Sequence, residues 1–179
     1  SPYTRLPDIP INGLKQPHDI AAWIDGDLLY IADAPSTVWR IGVNQKSVEK
    51  WKNISKVWSL SVTSDGRLVA LCYTDPQGSE GSRTCHGILE VYRLSDGLRL
   101  SVIHLPEDIV NPQHAVERTS GTFIVSHGNN STALHRVCEV NNEGAIVKSY
   151  GQQRGSGPGQ LNTPFHLALD AEGRVLVAD

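Results

Sequence analysis

Methionine is absent from all 179 residues, phenylalanine occurs only twice, and cysteine is limited to Cys72, Cys85 and Cys138. Three irregularly spaced thiols with no Cys-x-x-Cys pair exclude a disulfide framework, so buried or idle thiols are expected, although Cys72 and Cys85 could face each other across a hairpin. Long apolar runs are missing too. Stretches such as Leu28 to Ala32 and Val175 to Ala178 are far shorter than a bilayer span requires, so no membrane partner is expected. The formal net charge is -3 and Lys and Arg are scattered, which denies the chain a basic field for polyanions; no DNA partner is expected. Neither a charged segment leading into an apolar leader nor a convincing helical period is present. Beginning at Ser1, the chain is expected to be a piece of something longer, and its compartment stays open, with a cytoplasmic one favoured. Three matches to the glycosylation acceptor pattern, at Asn53, Asn129 and Asn130, are no more than chance supplies in a chain of this size.

What is present is an ordinary globular balance, 39% hydrophobic and 20% charged, organised by a repeat. Pro17-His18-Asp19-Ile20-Ala21-Ala22-Trp23-Ile24-Asp25-Gly26 leads into Leu28-Leu29-Tyr30-Ile31-Ala32-Asp33. Val57 through Asp65-Gly66 leads likewise into Leu68 to Leu71, Pro112 through Gly121 into Phe123 to Val125, and Pro164 through Gly173 into Val175 to Val177. The interval from opening residue to glycine is the same in all four copies: 17 to 26, 57 to 66, 112 to 121 and 164 to 173. Each copy reads as a short apolar strand, a turn whose glycine takes positive φ without a Cβ clash, and a second β-rich strand returning antiparallel.

Further strands follow these hairpins. Val38 to Ile41, Ile88 to Tyr92 and Arg136 to Val140 read as third strands, and Leu98 to His104 and Ala145 to Tyr150 as outer fourth strands. A four-stranded sheet recurring roughly every 40 to 55 residues is the blade of a β-propeller, because a lone sheet leaves both faces bare until neighbours cover them. A β-sandwich would not impose the same interval four times. The expected fold is therefore all-β: a propeller of four-stranded blades over residues 14–53, 54–108, 109–160 and 161–179, about four in number and the last truncated. Residues 1–13 are expected to be a linker or the outer strand of a neighbouring blade. A chain of this kind is expected to need the remaining blades as partners, since an isolated one exposes sheet edges.

The Pro-x-x-Ile/Leu-Ala, Asp-Gly and Ile/Leu-x-Ala-Asp elements resemble NHL-repeat propellers, most clearly from Gln160-Leu161-Asn162-Thr163-Pro164 to Asp179. The glycine-rich run from Gly151 to Gln160 is similar to that family's inter-blade linker. The nearest likeness is to tripartite-motif-like NHL proteins of invertebrates. One departure stands out, since Asp33 runs into Ala34-Pro35-Ser36-Thr37 instead of an Asn-His-Leu signature. The resemblance implies a propeller of six blades; across the family such domains bind proteins or RNA, and some are enzymes.

Among candidate functional residues, His18, His114 and His166 all lie at the start of a blade's first strand, which lines the central channel, and Trp58 opens the equivalent strand of the second copy. These four are the candidate binding residues. Pro17-His18-Asp19-Ile20 resembles strand starts of peptidyl-hydroxyglycine amidating lyases, a propeller family that holds zinc through histidines, and three neutral imidazoles with an open position would suit such a metal. However, His18 follows its proline by one residue while His114 and His166 follow theirs by two, and alternation along a strand turns His18 away from the others. No metal, cofactor or catalytic residue is assigned on this reading.

Other patterns lead nowhere catalytic. Gly-x-Ser-x-Gly, the P-loop and His-Glu-x-x-His are absent, and Gly155, Gly157 and Gly159 lack the strand and helix that a dinucleotide site needs. Asp33 and Asp179 serve as readily to accept hydrogen bonds from turn amides as to hold the calcium of a propeller hydrolase. Trp23, Trp39 and Trp51, like Trp58, suit packing between blades, and the Thr74 to His86 insertion is a long polar hairpin loop of the sort that carries binding specificity. The functional expectation is a noncatalytic interaction module that binds a protein partner through loops on one propeller face, with substrate recognition for a ubiquitin ligase as a context. An RNA-binding NHL domain and a metal-dependent propeller lyase or hydrolase are the alternatives.

Overall fold

A computed structural model describes residues 8–74, 84–119 and 121–179. Fourteen strands build it, and they form successive sheets in chain order. The first sheet is β1 (Pro17–Trp23), β2 (Leu28–Asp33), β3 (Thr37–Gly42) and β4 (Ser47–Asn53). The second is β5 (Val57–Val62), β6 (Arg67–Tyr73), β7 (Gly87–Arg93) and β8 (Arg99–His104). The third is β9 (Pro112–Thr119), β10 (Thr122–His127), β11 (Arg136–Asn141) and β12 (Ile146–Tyr150), and β13 (His166–Leu169) pairs with β14 (Val175–Ala178) in a two-stranded fourth sheet. Within these sheets each strand pairs antiparallel with its chain neighbour, and β1, β5, β9 and β13 stand side by side as the inner strands. This is the architecture of propeller blades, with the sheets not closed into a ring.

The cores lie between sheets. Tyr30, Ala32 and Val38 of the first sheet meet Leu60, Leu68 and Ala70 of the second. Val69, Leu71 and Leu89 on the other face of the second sheet meet Phe123, Val125 and Cys138 of the third. Because both faces of β6 are covered, Leu68 to Cys72 form a continuous apolar run in place of polar alternation, as buried strands do. Ile124, Val137, Leu161 and Leu167 join the third sheet to the fourth. Residues 8–13 form no strand; Ile9 and Ile11 lie with Leu14 against Trp39 and Ile41 and cover the outer face of the first sheet. Outer strand β8 contributes Ile103, only 2% exposed, to the core it shares with the third sheet. Trimming one methylene there by Ile103→Val is expected to cost about 1 kcal/mol in urea unfolding, whereas a detached outer strand would show no change.

Several sequence expectations need refinement. The outer strand β4 had no counterpart in the sequence reading, because Ser47 to Asn53 is largely polar; Trp51 anchors it, packed edge-on between Tyr30 at 5.2 Å and Tyr92 at 6.1 Å. The turn glycines Gly66, Gly121 and Gly173 have φ of 79°, 81° and 76°, as a left-handed turn demands, but in the first hairpin Asp27 takes that conformation at 53°. Gly26 is needed for a different reason: a Cβ there would come within 2.1 Å of the Trp23 ring. Cys72 and Cys85 are free, and burial, followed by the charge of Glu90, pushes the Cys72 thiol up to about 12, leaving it inert. Most of the Thr74 to His86 insertion lies outside the described residues.

Candidate functional site at the channel mouth

Each inner strand of the complete sheets begins with the same irregularity. Pairing of β1 with β2 skips His18, pairing of β5 with β6 skips Trp58, and pairing of β9 with β10 skips Gln113. A bulge of this sort leaves one residue unpaired and re-aims its neighbours. Its effect is to place Asp19 opposite Ala32, Ser59 opposite Leu71 and His114 opposite Ser126, matching His166 opposite Ala178 in the fourth sheet. Asp19, Ser59, His114 and His166 are therefore equivalent positions of four adjacent strands. The extra residues His18, Trp58 and Gln113 accompany them, with Phe165 just before His166.

All four residues singled out in the sequence line one recess of about 270 Å³, together with Pro17, Asp19, Ser59, Gln113 and Phe165. Within it they divide into two contacts. His18 lies tilted against Trp58 with ring centroids 5.1 Å apart, and Trp58 in turn leans on Tyr73 at 5.2 Å. His114 and His166 meet edge to face at 3.9 Å. His114 and His166 also border a second recess of about 280 Å³ further along the inner strands, reaching Val62, Glu117 and Leu169. The other tryptophans serve packing: the Trp39 indole is buried and donates to Asp33 at 3.1 Å, and Trp23 and Trp51 lie against the core between the first two sheets.

The electrostatics centre on Asp19 and His114. Asp19 Oδ2 accepts the Leu60 amide at 2.8 Å across the junction of two sheets, and Oδ1 accepts the Ile20 amide at 2.8 Å. Burial nevertheless outweighs these bonds and raises its pKa. His114 Nε2 stands 3.8 Å from Asp19 Oδ2, beyond a hydrogen bond. Both ring nitrogens lack partners; the Leu60 backbone lies near but outside hydrogen-bonding geometry. Burial, followed by the neighbouring His166, pushes the imidazole down to about 3, so it is uncharged at neutral pH. The Ser59 hydroxyl is buried and unpartnered as well.

Sequence reading found the histidines and Trp58 but not Asp19, Ser59, Gln113 or Phe165. The signal was available as the recurrence of a fixed offset from each strand start, which makes Asp19, and not His18, the counterpart of His114, and the bulges keep that equivalence in the structure. Among the described residues no group of three or more His, Cys, Asp or Glu side chains is arranged to hold a metal ion. The strand-end acids act as hydrogen-bond acceptors: Asp33 binds the amides of Lys15 and Gln16, and Asp179 binds the amide of Asn162 at 2.6 Å.

No protein-family model and no curated protein sequence matches the chain. Solved structures do resemble it. The computationally designed Ika4 protein aligns with 97% of this chain and 98% of its own at a TM-score of 0.54 and 11% identity. The acylaminoacyl peptidase of Pyrococcus horikoshii aligns with 80% of this chain at 0.55 and 9% identity, and an oligogalacturonate lyase in complex with manganese with 83% at 0.54 and 15% identity. The chain spans 29% of that peptidase and 42% of that lyase. At such identities the likeness establishes a propeller-type fold, which agrees with the sheets described above.

Proposed function

We propose that this chain is a noncatalytic recognition module that receives a protein partner at the recess where the inner strands begin. The observation that carries the reading is the lining itself. Trp58 and the exposed rings of His18, Phe165 and His166 surround a floor of buried polar atoms without partners, an arrangement that offers contact area at the rim and hydrogen bonds at the base. The NHL-type resemblance supports the same use, and substrate recognition for a ubiquitin ligase is the context it suggests.

Catalysis fits the site less well. Ser59, His114 and Asp19 meet in the recess, but no hydrogen bond joins hydroxyl to imidazole or imidazole to carboxylate, so no relay activates the serine. An imidazole held near 3 is also a weak base at neutral pH. RNA fits less well again, because among the described residues the recess is lined by no Lys or Arg to meet phosphate. The test is a photo-cross-linking residue installed at Phe165, which is 56% exposed. A protein adduct that disappears in a Trp58→Ala background is expected. Nuclease-sensitive adducts, or protein adducts indifferent to Trp58, would count against the proposal.

A further inference from the structure

Among the described residues, the recess is lined by one carboxylate and by no Lys or Arg. Two backbone amides stabilise Asp19, followed by the nearby imidazoles of His166 and His18; its one ion-pair neighbour within 4 Å among the described residues, His114, is held uncharged by its burial. The exposed imidazoles of His18 and His166 are the other titratable groups facing the carboxylate. A partly buried anion that faces imidazoles but no Lys or Arg among the described residues favours a positively charged ligand.

Three acceptors belong to residues that line this one recess. They are Asp19 Oδ2, whichever nitrogen of neutral His114 lacks a proton, and the Ser59 hydroxyl oxygen. His114 carries weight here: its side chain is 4% exposed, it lines the recess, and neither ring nitrogen has a hydrogen-bond partner among the described residues. Buried polar groups are ordinarily satisfied, so such a residue marks a place where a ligand atom completes the hydrogen bonding. Trp58, Phe165 and His18 line the same recess, and aromatic rings suit either a cation or the methylenes that carry it.

We propose that the recess binds a primary ammonium group carried on an aliphatic stem, its three N–H donors directed to Asp19, His114 and Ser59 and its methylenes lying against Trp58 and Phe165. This rests on the recognition reading above and names the chemistry of what is recognised. An ammonium is favoured over a guanidinium because each Asp19 oxygen already accepts a backbone amide, which spoils the paired approach of a planar fork. The volume of about 270 Å³ accommodates one side chain and not a folded segment. A lysine side chain of a partner protein and a free alkylamine share this chemistry.

The experiment is an NMR titration of the whole chain labelled in its histidine rings, with n-butylammonium, n-butylguanidinium, n-butanol and an N-acetylated lysine peptide as probes. Saturable shifts of the His114 and His166 rings with n-butylammonium are expected, with affinity reduced about tenfold or more by Asp19→Asn. Because Asp19 also ties two sheets, Ser59→Ala provides an independent variant. Removing that unpartnered hydroxyl leaves the fold intact and is expected to weaken the ammonium several-fold. Tighter binding of the lysine peptide than of n-butylammonium would identify a protein side chain as the source, and the reverse a free amine.

Equal binding of n-butanol and n-butylammonium, or affinity unaffected by both variants, overturns the ammonium assignment while leaving recognition at this recess standing. Absence of shifts with every probe overturns it as well. In that case a Trp58-dependent protein adduct from Phe165 still upholds the recognition reading, and its absence ends both.

Discussion

Replacing Asp33 by alanine is expected to destabilise the protein by about 3 kcal/mol, seen as a lower urea midpoint with little change in slope. The carboxylate closes β2 and is 2% exposed. Its Oδ1 accepts the Lys15 amide at 3.0 Å and the Gln16 amide at 2.6 Å, and its Oδ2 accepts the Trp39 indole at 3.1 Å. Alanine leaves all of these donors without their acceptor. Trp39 is itself 5% exposed and packs with Ile31 and Ile41 beneath Ile9 and Ile11, so the loss reaches the cover of the first sheet.

Burial alone would raise the pKa of Asp33; the Gln16 amide, the Trp39 indole and the Lys15 amide overcome it and hold the carboxyl below the usual range. Its contribution therefore persists above the ordinary carboxylate value and is lost only as pH falls through the lowered one. Asp33→Asn, which keeps an acceptor for part of the set, is expected to cost roughly 1 kcal/mol. An alanine variant as stable as the parent would mean that water replaces the carboxylate, and that the strand-end aspartate is not the staple described above.

Acid is expected to have the larger effect. His114 and His127 are both buried, with pKa values pushed down to about 3 and about 4. Burial is the main cause in each, followed by His166 for the first and Arg136 for the second. His127 Nε2 accepts the Arg136 Nε–H at 3.2 Å, which requires a neutral ring with its proton on Nδ1. The unfolded chain protonates both near the ordinary histidine value of about 6.5. Between that value and the lowered ones the unfolded state binds more protons, so stability rises with pH in this window and is lost as pH falls through it.

Asp19 and Glu117, whose carboxyls are raised by burial, work in the opposite sense and remove part of the effect. The net loss between neutral pH and about pH 4 is expected on the order of 5 kcal/mol. Urea midpoints at pH 7, 5.5 and 4.5 measure it, and replacing both histidines by glutamine should flatten the profile. A profile already flat in the parent protein would show that these imidazoles are not held neutral by the fold.

Much of the architecture was legible in the chain because strand, turn and strand recur at one interval, and a repeat reports a blade whatever its neighbours do. Val38 to Ile41, Ile88 to Tyr92 and Arg136 to Val140 all fall within observed third strands, since apolar residues that face adjacent sheets must recur with them. Strand β4 escaped notice because an outer strand shows most of its surface to water and needs only Val48 and Trp51 turned inward. Asp27 in the first turn escaped because the Asp25-Gly26 pair points to Gly26 as the left-handed residue, whereas the positive φ falls one residue later and Gly26 is kept small by the Trp23 ring.

The sequence by itself determined the all-β class, the repeat and the placing of three histidines and Trp58 at strand starts, because local periodicity and turn chemistry act within a few residues. Which side chains share the recess was decided by the tertiary structure. The bulges at His18, Trp58 and Gln113 shift each strand's facing by one residue, and only the packing of sheet against sheet brings Asp19, Ser59, His114 and His166 to a common mouth. The charge states followed from the same packing, since burial between sheets, a property that no stretch of chain has alone, is what keeps His114 neutral and raises the pKa of Asp19 beside it.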